Sequence, residues 1–178
     1  MKHHGLLFQP DMARANVAGL KTMTRRRVKS TLPIQDWPFV ELQMYSDPHG
    51  LQAFFKDERG DLFGIKCPWK VGDLIYQKEV SWMRVNAEQQ VCFDEDKPTF
   101  GTWKRRSSML MPKWAARFWA EIISIRVERL KDISAEDAKK EGFQNRHQFF
   151  DKIAAINGAE AVEKNAWFWV IEYYEVKS

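Results

Sequence analysis

Residues 117–130 read RFWAEIISIRVERL. Ile123, Ile125 and Val127 alternate onto one side of an extended chain, with Ser124, Arg126 and Glu128 on the other. That two-residue period predicts a strand with one face in a core. Directly downstream comes Ser134-Ala-Glu-Asp137, a helix-capping residue followed by an acidic third position, which predicts a helix running through Glu141 and ended by Gly142. A second helix is expected over 146–156, stopped by Asn157-Gly158. The stretch 167–176, WFWVIEYYEV, closes the chain as a strand that is apolar on both faces at its start. Trp167 and Trp169 are therefore assigned to the core.

Upstream, residues 5–9 (GLLFQ) form a short apolar run before Pro10, which suits a strand followed by the first turn of a helix, with Asp11 favourable at its positive end. A helix over 11–20 would place Met12, Ala15 and Val17 or Leu20 near one face, with Gly19 at its end. Residues 22–29 (TMTRRRVK) then favour a basic strand. From 30 to 66 the chain is broken by Pro33, Pro38, Pro48, Gly50, Gly60 and Gly64, and DERGD at 57–61 resembles a hairpin turn. This region is expected to be an insertion of loop and hairpin inside one domain spanning 1–178. Asp73 closes a turn and caps its own backbone, and residues 74–79 form another strand. Strands outnumber helices and their connections are irregular. The expected class is α+β, a small closed or nearly closed β-barrel with flanking helices.

Composition sets outer limits. The 178 residues suffice for one domain with a substantial core. Hydrophobic residues at 44% against charged residues at 29% argue against disorder. A net charge of +4 leans toward a polyanionic partner. Cys67 and Cys92 form no CxxC pair, can make neither a disulfide framework nor a four-cysteine zinc site, and suit a reducing cytosol. No stretch approaches the apolar length of a membrane span. A cytoplasmic location without membrane association is expected, and no cofactor or metal is implied. The adjacent His3 and His4 are read as incidental.

Four groups could carry chemistry or recognition. In Gly19-Leu-Lys-Thr-Met-Thr-Arg-Arg26, Lys21 stands where the helix should give way to the strand. Thr22, Thr24 and Arg26 would share one strand face, Met23 and Arg25 the other. A lysine crowded by Arg25–Arg27 can lose its proton near neutrality and act as a base for a neighbouring hydroxyl. The same residues could equally be a solvated basic strand. Glu141, at a helix end, is either a proton donor or a surface glutamate. Glu79 can serve as a second acid or nucleobase acceptor, or pair with a strand arginine. Basic residues interleaved with aromatics recur in Arg25–Arg27, in WKRR at 103–106, and in Lys113, Trp114 and Arg117. That combination meets the needs of single-stranded RNA.

GLKTMTRR resembles the G-x-K-T-x-T-x-R signature of ASCH domains. Four further blocks follow in the order seen in the longer, phage- and prophage-encoded members: CPWKVGDLIYQKEVSW at 67–82, MPKWAAR at 111–117, VERLKDISAEDAKKEGF at 127–143, and the closing NAWFWVIEYYEV. Residues 30–66 match least. The resemblance implies a PUA-like barrel whose cleft handles RNA or a modified nucleoside. It also implies catalysis as in ASCH enzymes that deacetylate N4-acetylcytidine, with Lys21 as base, Thr24 as nucleophile and Glu141 orienting water or protonating the amine. Thr22, Arg25, Arg26, Glu79, Lys113, Trp114 and Arg117 would contact substrate or RNA. Two departures stand out. A frequent S-I-H-M-P block is Ser108-Met-Leu110-Met-Pro112 here, and R-E-T-W is Lys78-Glu79-Val80-Ser81-Trp82. A non-catalytic RNA-binding module and a metal-independent ASCH ribonuclease are the rival expectations.

Overall fold

The computed structural model describes residues 1–45, 50–85 and 90–176. In chain order its elements are β1 (His3–Leu7), α1 (Pro10–Val17), β2 (Met23–Arg27), β3 (Phe39–Tyr45), β4 (Gly50–Lys56) and β5 (Leu62–Lys66). There follow β6 (Leu74–Lys78), β7 (Ser81–Arg84), β8 (Val91–Cys92), β9 (Trp103–Arg106) and β10 (Trp119–Arg129). The chain ends with α2 (Ala135–Lys140), α3 (Arg146–Asn157), α4 (Ala159–Glu163) and β11 (Trp167–Glu175). The architecture is α+β.

The main sheet runs β1-β6-β10-β11-β2, with β1 and β6 parallel and the other neighbours antiparallel. Among the described residues no backbone ladder joins β2 to β1. The two edges are instead spanned by a side chain, Arg26, which donates to the Leu7 carbonyl at 2.9 Å and lies over the Phe8 ring.

β10 departs from the strict alternation expected of it. A bulge between Ile122 and Ser124 shifts the register, so Ile122, Ile125 and Val127 are buried and Ile123 is exposed. One extra residue turns the strand's first half over while leaving its second half in place. The first helix is also shorter than expected. Its buried residues are Ala13 and Asn16, with Met12 packed against the core, while Val17 and Leu20 are exposed. Asn16 takes the inward position instead, its side chain bonded to Gln77 and Tyr173 at 2.8 Å each, and the left-handed Gly19, φ +69°, turns the chain out of the helix.

The 30–66 region forms the antiparallel meander β3-β4-β5. Its hairpin lies at DERGD, where the Asp57 carboxylate accepts from the Arg59 and Asp61 amides. Pro48 lies outside the described residues. Leu51, Ala53 and Phe55 join Val28, Ile122, Trp167 and Trp169 in one core, so the meander packs directly on the main sheet. The opposite face of β11 contributes Phe168 to a second core with Leu130, Ile133, Ala138, Phe149 and Ile153 under α2 and α3. Burial on both faces explains the unbroken apolar start of β11.

Candidate active site

The site forms where α1 ends, β2 begins and α2 ends. Ser134 caps α2 by accepting from the Asp137 amide at 3.0 Å, which fixes where the helix starts and therefore where Glu141 falls. Gly142 follows in a left-handed conformation, φ +88°, against Ala15 and Lys21. Only glycine takes that backbone without strain and leaves the lysine stem room to pass. The Thr22 amide donates to the Lys140 carbonyl at 2.8 Å, pinning the end of α2 to the start of β2.

Lys21 is 2% exposed and Glu141 3%. The Lys21 ammonium donates to Glu141 Oε2 at 2.6 Å and to the Glu141 carbonyl at 2.9 Å. Burial pulls the Lys21 pKa below its ordinary value, Glu141 opposes that pull, and Arg26 and Arg25 reinforce it. A single proton shift along this bond gives a neutral amine beside a carboxylic acid.

Arg25 approaches from the face of β2 that meets α2 and α3. It donates to Glu141 Oε1 at 3.3 Å, Glu128 at 2.9 Å and Asp137 at 3.0 Å. Arg126 continues the network, donating to Asp137 at 2.7 Å, Glu172 at 2.6 Å and Glu128. Arg25 is thus the centre of a buried ion cluster, not a cation presented to solvent. Cross-strand pairing sets Thr24 opposite Ile171 and Arg26 opposite Trp169, so these two point to the face away from Arg25. Thr24 is buried, and among the described residues its hydroxyl makes no hydrogen bond with Lys21 or Glu141. Thr22 is exposed beside them.

Glu79 lies apart from this group. Arg117 grips its carboxylate at both oxygens, 2.9 Å each, and Gln77 donates to it at 2.7 Å. The pairing with an arginine is the arrangement found, and Arg117 also stacks on Phe93. From Gln77 a buried chain continues to Asn16 at 2.8 Å and on to the Tyr173 hydroxyl at 2.8 Å. Burial, and after it the Glu141 charge, drive the Tyr173 pKa well up, which places this chain within electrostatic reach of Glu141. Lys113 and Trp114 are exposed, Lys113 leaning on His3 and the Trp119 ring.

Asn16, Gln77 and Tyr173 were missed by sequence reasoning. The signal was available for Gln77, which shares the inward face of β6 with Ile75, a polar residue where alternation calls for an apolar one. Among the described residues no group of three or more His, Cys, Asp or Glu is placed to hold a metal ion. Nor is any helix there long and apolar enough to cross a membrane.

No protein-family model matches the chain, and no curated protein matches it. A solved crystal structure described as hypothetical protein PH0355 aligns with 99% of this chain and 100% of its own, at 13% identity and a TM-score of 0.47.

Proposed function

We propose that this chain is a PUA-like protein of the ASCH type that acts on RNA or modified nucleosides, hydrolysing an amide of the N4-acetylcytidine kind. The observation that carries the reading is the buried 2.6 Å contact between Lys21 and Glu141, residues 120 apart in sequence, beside the strand that holds Thr24. In this reading Lys21, neutral after passing its proton to Glu141, removes the proton from the Thr24 hydroxyl. The hydroxyl oxygen bonds to the amide carbon. Glu141 then gives its proton to the departing cytosine amine as the carbon–nitrogen bond breaks. Water hydrolyses the resulting threonyl ester and restores the free hydroxyl.

A second reading has its own support. Lys21 and Glu141 are almost fully enclosed, and the Thr24 hydroxyl is not joined to either. Both facts suit a pair that holds α2 against β2, with RNA recognition elsewhere and no turnover.

Purified wild type, Lys21→Ala and Thr24→Ala, each checked for folding by circular dichroism, are incubated with N4-acetylcytidine, and released cytidine is measured by chromatography. The proposal expects release by wild type and at least ~100-fold less from Thr24→Ala, the scale of a lost catalytic group. Folded wild type that releases no cytidine overturns the amide reading. Salt-dependent RNA retention without turnover would then favour the binding module.

A further inference from the structure

Away from Lys21, strands β7, β8 and β9 build a small sheet in the order β8-β7-β9. Its pairing sets Trp82 opposite Arg105 and Arg84 opposite Trp103. Paired residues point to the same side, as do alternate residues along one strand. Trp82, Arg84, Trp103 and Arg105 therefore share one face, indoles and guanidiniums in alternating positions. The side chains agree with the register. A Cβ on Gly101 would lie 3.5 Å from Trp103 Nε1 and 3.7 Å from Arg84 Nε, so those two groups meet beside the same turn.

That turn adds a third ring. Phe100 is 73% exposed, and its carbonyl accepts from Trp103 Nε1 at 3.0 Å. At the other end of the face, Lys97 Nζ sits 3.9 Å from the centre of the Trp82 ring. Trp82 Nε1 donates to Asp94 at 2.6 Å, which orients the indole at the rim. Arg84 donates to the Gln90 side-chain oxygen at 3.1 Å, and among the described residues neither it nor Lys97 nor Arg105 forms an ion pair with a carboxylate. The opposite face carries Ser81, Met83, Lys104 and Arg106, with Ser81 buried.

We propose that the Trp82–Trp103 face is a platform for single-stranded RNA. Bases stack on Trp82, Trp103 and Phe100, while Arg84, Lys97 and Arg105 pair with phosphates. Phe100 is exposed, and the half-buried Trp82 and Trp103 keep part of their indoles at the surface. Such rings offer stacking to any base, and guanidiniums paired with no carboxylate supply the charge that a phosphate backbone needs. Trp82 and Trp103 are diagonal neighbours, ~7–8 Å apart along the sheet, so successive unstacked bases can use both. A duplex hides its base faces and has no use for rings at the surface. The platform is separate from the Lys21 site and holds whether or not that site hydrolyses an amide.

The test measures fluorescence anisotropy of a fluorescein-labelled single-stranded oligouridine RNA in low salt. Two double variants are compared: Arg84→Glu with Arg105→Glu, and Lys104→Glu with Arg106→Glu. Both change the net charge equally, on opposite faces of the same sheet. The platform expects the first pair to weaken binding about tenfold or more and the second about twofold or less. Phe100→Ala, at an exposed side chain that leaves the fold intact, should weaken it about fivefold, and decides the matter if the first pair does not fold. Equal losses in the two pairs would mean diffuse attraction and overturn the proposal. So would equally tight binding of duplex RNA, or no binding by wild type. Cytidine release from free N4-acetylcytidine, measured alongside, reports on the Lys21 site independently.

Discussion

Glu141→Gln removes one charge and nearly no volume, so its effect reads the electrostatics of the buried pair. Lys21 would keep its bond to the residue 141 carbonyl and lose the 2.6 Å carboxylate partner. Arg25 would lose its weakest contact, at 3.3 Å, and keep Glu128 and Asp137. The cost therefore falls mainly on Lys21. Stranding a buried charge by deleting its partner costs about 3–5 kcal/mol. Urea unfolding followed by tryptophan fluorescence would register it as a midpoint lowered by about 1.5–2.5 M, taking a slope near ~2 kcal/mol per molar for a chain of this size.

The pH dependence sharpens the test. The folded Lys21 pKa lies below its ordinary 10.5 because burial disfavours the ammonium. Between the two values the unfolded chain holds a proton that the folded one has released, so stability rises with pH across that window. Without the Glu141 charge the folded pKa falls further and the window extends downward. The variant's deficit should shrink as pH climbs from neutrality toward 10.5. Replacing both partners, Lys21→Met with Glu141→Leu, should recover most of the loss. A deficit under about 1 kcal/mol, or one that does not change with pH, would refute the reasoning by showing Lys21 to be solvated.

Three further outcomes are expected. Tyr173→Phe removes the hydroxyl that donates to Asn16 and should lower stability by about 1 kcal/mol or somewhat more, since Asn16 Oδ1 is left buried without its donor; an unchanged urea midpoint would contradict this. Gly142→Ala forces a side chain into the φ +88° backbone with its Cβ 3.2 Å from that of Ala15, and should cost about 1–2 kcal/mol in the same assay. Burial pushes the Cys67 thiol up to about 12, so iodoacetamide at neutral pH should leave it unmodified in the folded protein, as mass spectrometry of the alkylated chain would show. Alkylation of Cys67 as fast as in unfolded protein would refute its burial.

Much of the architecture was legible because it rests on local rules. The Ser134 cap, the Gly142 stop and the DERGD hairpin depend on residues within a few positions of each other, and each stands where the sequence placed it. The apolar start of β11 likewise announced its burial. The bulge at Ile122 was not legible, because it answers to the fit of β10 against β11 rather than to β10's own pattern.

The candidate site divides in the same way. Lys21 and Glu141 could be named from sequence, and the alternation of Thr24 with Arg25 follows from strand periodicity. What Arg25 and Arg117 do could not be read so. Both look like cations available to RNA, yet Arg25 is surrounded by Glu128, Asp137 and Glu141, and Arg117 holds Glu79. Sequence determines that a side chain carries charge and which way its strand turns it. Only the tertiary structure decides whether that charge meets water or a carboxylate, because the acids that neutralise it arrive from elements 38 to 116 residues away.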